Sequence, residues 1–266
     1  REILKENVKN KISFSKPIIT LNDQALIYPN TINVIQGKSG THKSRLAEHL
    51  CSILLQNPES NIDLLGLRSI VLNTSVCYVD SERNLSEQYP FSLQQIKINA
   101  GYKIEDDVSN FDFITLIDID RAQRFKAFSE YLEMIRQDHE GHIFVILDVL
   151  TDLLDNFNDP RSSMQLTDLL NKSINTYNIT FLCIIHENPN QDKARGHLGT
   201  ELFNKSSISL SINFEKDSKG NDLDVIKIQF LKCRASKKFD PLYVKFLGDK
   251  KKLVYADNLE IEKAKH

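Results

Sequence analysis

Tryptophan is absent from the 266 residues, methionine occurs twice and glycine only nine times. Together with 41% hydrophobic and 26% charged residues, this excludes collagen-like, disordered and disulfide-scaffold chains. The four cysteines, Cys51, Cys77, Cys183 and Cys233, lie far apart with no CxxC or CxxH pairing, so their spacing points neither to a zinc site nor to a disulfide framework. A reducing cytosol fits that usage, and a cytoplasmic location is expected. No run approaches the roughly 18 apolar residues of a membrane span, and the start, Arg1 to Glu6, has no signal-peptide core, so no membrane partner is expected. Excess charge of one sign is also missing. Lysine and arginine total 34 against 36 acids, a net charge of −2, so any nucleic-acid site must be a local patch. Lys237-Lys238 and Lys250-Lys251-Lys252 are such patches, and on charge alone they read as solvated surface. Beginning on Arg1 rather than Met, the sequence is expected to be a fragment or processed piece, with an N-terminal partner domain outside it.

What is present has a clear rhythm. From Thr31 to His186, short apolar runs alternate with longer amphipathic stretches, the pattern of an α/β fold with a mostly parallel sheet flanked by helices. Strands are predicted at Ile32–Gln36, Val76–Asp80, Phe113–Ile117, His142–Leu147 and Thr180–Ile185, the last three near-continuous apolar runs of the kind covered on both faces. Helices are predicted at Lys43–Gln56, Arg121–Gln137 and Met164–Tyr177. After Leu202 the pattern becomes period-two, with segments at Ile208–Phe214, Val225–Leu231, Leu242–Phe246 and Leu253–Tyr255 extending the sheet as antiparallel strands. Residues 1–29 are expected to form an arm or edge element, 30–258 the main domain and 259–266 a tail.

The sharpest motif is Gly37-Lys38-Ser39-Gly40-Thr41-His42-Lys43-Ser44, which follows a predicted strand and opens a predicted helix. It matches GxxxxGK[ST] except that His42 replaces the second glycine. In such a loop the backbone N–H groups cradle phosphates, a lysine neutralises the β and γ oxygens, and a hydroxyl holds Mg²⁺. Lys43 and Ser44 supply the last two, which predicts ATP and Mg²⁺ as ligands. The lost glycine matters because that position often needs an unusual backbone angle, yet histidine is among the side chains enriched at positive φ. Asp148, closing the strand that begins at His142, is the expected second Mg²⁺ partner with Ser44. In Tyr78-Val79-Asp80-Ser81-Glu82 a further acid sits at a strand end, with Glu82 the candidate general base and Asp80 its runner-up.

These features, in this order, resemble RecA-like P-loop ATPases, and within them the RepA-like hexameric helicases of plasmids and mobile elements. The likeness spans about Asn30 to Phe246. It also takes in Thr151-Asp152-Leu153-Leu154, Ile184 to Pro189, Lys193 to Leu202, and Phe230-Leu231-Lys232-Cys233-Arg234. By that resemblance Glu82 is the catalytic base, Asp148 the metal partner and His186 a γ-phosphate sensor, although a lone histidine after a strand is usually a polar cap. Lys232 and Arg234 match a pair that reaches into the nucleotide site of a neighbouring subunit; two apart in a strand, they share a face. The resemblance thus implies a homo-oligomer, a hexameric ring or filament, acting on single-stranded DNA. Two loops are candidates for that contact: Asn156–Ser163, with Arg161, and Glu187–Thr200, with Lys193, Arg195 and His197. Arg195 to Gly199 reads equally well as an interface or nucleotide-adjacent element. A non-unwinding DNA-dependent ATPase of recombination or mobilisation, a monomeric P-loop kinase and a non-hydrolysing nucleotide switch remain alternatives.

Overall fold

The computed structural model describes residues 1–60, 65–70, 74–189 and 191–265. After the short helix α1 (Glu2–Asn7), the chain enters β1 (Ile19–Leu21), β2 (Gln24–Ile27), β3 (Ile32–Gly37), α2 (Lys43–Leu54), β4 (Leu67–Ser69) and β5 (Thr74–Asp80). Then come α3 (Gln88–Asn99), β6 (Phe111–Thr115), α4 (Arg121–Asp138), β7 (His142–Asp148), a 3₁₀ turn at Leu150–Leu153, α5 (Pro160–Tyr177) and β8 (Ile179–His186). The chain ends with α6 (Gly196–Lys205), β9 (Ile208–Lys216), β10 (Asp222–Cys233), β11 (Leu242–Leu247), β12 (Lys252–Tyr255) and α7 (Asn258–Lys265).

One nine-stranded sheet runs β12-β11-β10-β9-β3-β8-β7-β5-β6. Pairings from β9 through β6 are parallel, and those from β9 out to β12 are antiparallel. Alternation along each central strand explains why the apolar runs are continuous. Val76 and Tyr78 of β5, with Phe144 and Ile146 of β7, face a core built on Leu46, Leu50 and Ile53 of α2 and Ile96 of α3. Cys77 and Val79, with Ile143, Val145 and Leu147, face a second core built on Phe128, Leu132 and Ile135 of α4, and on Leu166, Leu170, Leu198 and Leu202 of α5 and α6. A strand buried on both faces is apolar along most of its length, and its few polar side chains find partners, as Asn33 Nδ2 of β3 does on Phe181 O at 3.1 Å. A three-stranded sheet, β2-β1-β4, sits apart from the large one; Ile19, Leu21, Leu26 and Ile27 from it join the α2-side core.

Three local expectations are corrected. The strand expected at Phe113–Ile117 lies two residues earlier, at Phe111–Thr115: the last ladder bond, Leu116 N to Asp80 O (2.8 Å), is followed at once by turns, Ile117 N to Thr115 Oγ1 (3.2 Å) and Ile119 N to Leu116 O (3.1 Å). The loop expected through Ser163 ends at Asp159, whose side chain caps α5 by accepting from Ser162 N at 2.7 Å, with Pro160 in the first turn; Arg161 is therefore an exposed first-turn helix residue rather than a loop residue. The loop expected through Thr200 ends at Arg195, and His197 lies on α6. Gly196 makes that entry: its φ is +71°, and a Cβ there would come within 2.7 Å of Phe157 O and Asn158 Oδ1. Among the described residues no helix is long and apolar enough to cross a membrane.

Candidate functional site

Parallel strands end at the same edge, and the register places the motif residues there side by side. Gly37 of β3 is level with His186 of β8, and Asp80 of β5 with Asp148 of β7. Gly37 is needed at its position: an added Cβ would lie 2.3 Å from Ile212 O. From there the chain curls around the Lys38 carbonyl, which accepts from Thr41 Oγ1 at 2.8 Å and Lys43 Nζ at 2.6 Å, and enters α2.

His42 occupies the left-handed region, φ +66° and ψ +27°, at the N-cap of α2 and supplies no side-chain cap. Its ring instead stacks on Phe246 (centroids 4.6 Å apart, 25° between planes) and meets Phe214 edge-on at 5.7 Å. Arg45 lies over the other partner of that stack, 5.9 Å from the Phe246 centroid. Burial, then the nearby Arg45 charge, hold the imidazole below the ordinary histidine pKa. The first N–H groups of α2 consequently have neither intrahelical partners nor a cap, an arrangement that suits an anion.

Lys43 is only 5% exposed. Burial pulls its pKa below the ordinary lysine range, against the opposing pull of Asp148, Glu82 and Glu187. Ser44 Oγ donates to Asp148 Oδ1 at 3.1 Å. A hydroxyl and a carboxylate so paired are hard oxygen donors of the kind Mg²⁺ takes, so Ser44 and Asp148 could hold that ion, and Lys43 with the α2 N–H groups could hold phosphates. Glu82, half exposed, is 3.4 Å from His186 Nε2, and that hydrogen bond is the main reason its carboxyl lies below the ordinary glutamate pKa. The structure thus brings Lys43, Ser44, Glu82, Asp148 and His186 to one edge. Beside the loop, a cavity of about 580 Å³ is lined by Lys38 to Thr41, Asn213, Phe214 and Lys227.

Sequence reasoning missed the groups that set this edge. Arg83 donates to Asp80 Oδ2 (2.6 Å), Glu48 Oε1 (2.6 Å), Ser92 Oγ (2.7 Å) and Asp148 Oδ2 (3.0 Å). Tyr78 OH takes Asp148 Oδ2 as well, at 2.9 Å. Asp80 is therefore spent on Arg83 and on the backbone N–H groups of Glu82 and Arg83, which removes it as an alternative base. Burial raises the carboxyl pKa of both Asp80 and Glu48, with Arg83 opposing. Glu187, 4% exposed, joins Gln36 Nε2 (2.7 Å) to Asn213 Nδ2 (3.2 Å), and Asn213 Oδ1 accepts from Lys38 N at 3.3 Å. The available signals were the Arg directly after Asp-Ser-Glu, and Glu48 interrupting the apolar face of α2.

Lys232 and Arg234 lie elsewhere. Lys232 Nζ bonds Phe203 O and, at 3.1 Å, Asn204 O, while Arg234 Nη2 bonds Asn204 O, so both cations cap the last turn of α6. Burial, followed by the Arg234 charge, lowers the Lys232 pKa. Of the candidate DNA contacts, Arg161, Lys193, Arg195 and His197 are all exposed. The two segments that carry them touch: the Arg195 guanidinium sits 4.9 Å over the Phe157 ring and Leu198 N donates to Phe157 O at 3.3 Å. Arg195 N also donates to His186 O at 2.8 Å.

No family model matches the sequence, and no curated protein matches it either. Among solved structures, that of the RadB recombinase aligns over 86% of this chain and 92% of its own, with a TM-score of 0.58 at 14% identity. The structure of the flagellar accessory protein FlaH from Methanocaldococcus jannaschii aligns over 89% and 93%, with a TM-score of 0.59 at 14% identity. The likeness is one of fold: a RecA-like α/β core with a mostly parallel sheet, flanking helices and C-terminal antiparallel strands.

Proposed function

We propose that the chain is a nucleotide-dependent motor that binds ATP and Mg²⁺, hydrolyses ATP at subunit interfaces and acts on DNA. The observation carrying this reading is the 3.1 Å contact between Ser44 and Asp148, with Lys43 beside it and Glu82 at the neighbouring strand end. A strand-turn-helix with chance Gly, Lys and Ser would have no reason to aim its hydroxyl at the acid ending β7.

In this reading Lys43 and the α2 N–H groups bind the β and γ phosphate oxygens. Ser44 and Asp148 would hold Mg²⁺, which when bound would neutralise charge on those oxygens. Glu82, oriented by His186, positions the attacking water and takes its proton. Lys232 and Arg234 of a neighbouring copy complete the site, stabilising transition-state charge in trans. That role requires them to leave the α6 carbonyls. The finer assignment is a RepA-like helicase of a plasmid or mobile element, working as a hexameric ring or filament on single-stranded DNA through Arg161, Lys193, Arg195 and His197. A fold shared by a recombinase and a flagellar accessory protein serves more than one output, so DNA as the track rests on those four exposed side chains.

The test is ATP hydrolysis across a protein-concentration series, with and without single-stranded DNA, using Lys43→Ala as the blank. Turnover per subunit that rises with concentration and again with DNA supports an interface-completed DNA motor. Turnover retained by Lys43→Ala removes the phosphate loop from the mechanism. Mixing Arg234→Ala with Glu82→Ala subunits should restore part of the activity that each lacks, and no rescue counts against the role in trans.

A further inference from the structure

A second polar cluster lies on the face of β5 that packs against α4. Cys77 of β5 and Asp112 of β6 are register partners, and His139 follows directly on α4. The thiol sulfur, a carboxylate oxygen and a ring nitrogen of these three residues all lie within 4.8 Å of one another. Cys77 is fully buried, while Asp112 and His139 are half-buried at the sheet edge.

Each member is already held in place. Ser75 Oγ, on the same strand face as Cys77, meets His139 Nδ1 at 3.0 Å and so holds the ring in place. Tyr131 OH donates to Asp112 Oδ2 at 3.1 Å, and its hydroxyl also meets the Cys77 thiol. Phe113 N donates to Asp112 Oδ1 at 2.7 Å. An imidazole, a thiol and a carboxylate with such supporting partners make a donor set with its orienting shell in place.

We propose that Cys77, Asp112 and His139 bind a zinc-class divalent cation, with water in the fourth position. Zinc takes sulfur, nitrogen and oxygen ligands tetrahedrally at about 2.0–2.3 Å, so the three groups close on it by side-chain rotation at an edge strand and a helix end. The thiol gives up its proton to solvent as the sulfur–metal bond forms, and affinity therefore rises with pH. A thiolate ligand selects this class of ion over the Mg²⁺ suited to Ser44 and Asp148. Bound there, the cation fastens edge strand β6 and the end of α4 to β5, the strand that leads into Asp80 and Glu82.

The experiment is a Co²⁺ titration of the whole chain with Mg²⁺ in excess to occupy hard-oxygen sites. The expected result is one equivalent bound with a thiolate-to-cobalt charge-transfer band that added Zn²⁺ abolishes. Cys77→Ser should lose the band, and His139→Gln and Asp112→Asn should weaken binding at least about tenfold. His139→Gln changes a half-buried group outside the regular elements, and circular dichroism checks that it is folded. Absence of the band in the unsubstituted chain, or its persistence in Cys77→Ser, overturns the proposal and leaves a hydrogen-bonded polar cluster. Undiminished affinity in folded His139→Gln overturns it as well.

Discussion

Replacing His42 with glycine restores the residue the phosphate-loop pattern asks for, and the structure says what that exchange does. A side chain in the left-handed region is strained by about 1–2 kcal/mol, which glycine relieves. Against this, glycine gives back about 0.5–1 kcal/mol in chain entropy, and the stack on Phe246 with the edge contact to Phe214 is worth about 0.5–1.5 kcal/mol beyond area burial. These terms nearly cancel, so His42→Gly should alter stability by no more than about 1.5 kcal/mol in either direction. The informative quantity is the coupling. In a cycle of His42→Gly, Phe246→Leu and the double variant, followed by urea unfolding at constant m, the interaction energy should be about 0.5–1.5 kcal/mol. ATP turnover in His42→Gly should stay within a few-fold of the unsubstituted chain. A coupling below about 0.3 kcal/mol would mean that the aromatic box does not hold the loop. A large gain in turnover would mean that His42 impairs the loop.

Two further outcomes are expected. Arg83→Ala leaves Glu48, Asp80 and Asp148 buried with one cation fewer, and unfolding should show a loss of about 3–5 kcal/mol; Arg83→Lys recovers only part, because one ammonium cannot serve a fork that reaches three carboxylates. A loss under about 1 kcal/mol would mean that solvent, not Arg83, neutralises this edge. For pH, the His186 hydrogen bond depresses the Glu82 carboxyl pKa, so this proposed base stays ionised to lower pH than an ordinary glutamate. Its stabilising contribution is present above the unfolded pKa and lost as pH falls through the folded one. The acid limb of kcat/KM should therefore move upward in His186→Ala; a limb that stays put removes His186 from the environment of the base.

The central strands were legible because burial on both faces makes them near-continuous apolar runs: His142–Leu147 is found as His142–Asp148, and Thr180–Ile185 as Ile179–His186. Helix α3 was not legible, since it buries only Tyr89, Ser92 and Ile96 and leaves Phe91 and Ile98 exposed, so its sequence shows no apolar stripe. Helix α6 was hidden by its glycines, Gly196 and Gly199, which read as loop but permit close approach to Phe157 and Ala194. At the site, Lys43 and Ser44 were readable because a motif fixes their spacing, and Asp148 because it closes an apolar strand. Arg83, Glu48 and Glu187 were not. Charged residues are surface by default, and only the folded chain shows that two of these carboxylates and the guanidinium are enclosed.

The backbone bond from Arg195 N to His186 O, and the Arg195 and Leu198 contacts to Phe157, make a short stiff linkage between the edge where the chemistry is proposed and both exposed segments. If His186 moves when nucleotide binds, Arg195, one hydrogen bond away, and the Phe157 segment that leads into Arg161 are the groups placed to follow it. The traffic must run both ways, since any free-energy coupling between two binding events is reciprocal. A polyanion gripped at the surface would then tighten or loosen nucleotide by the same factor by which nucleotide tightens or loosens the grip.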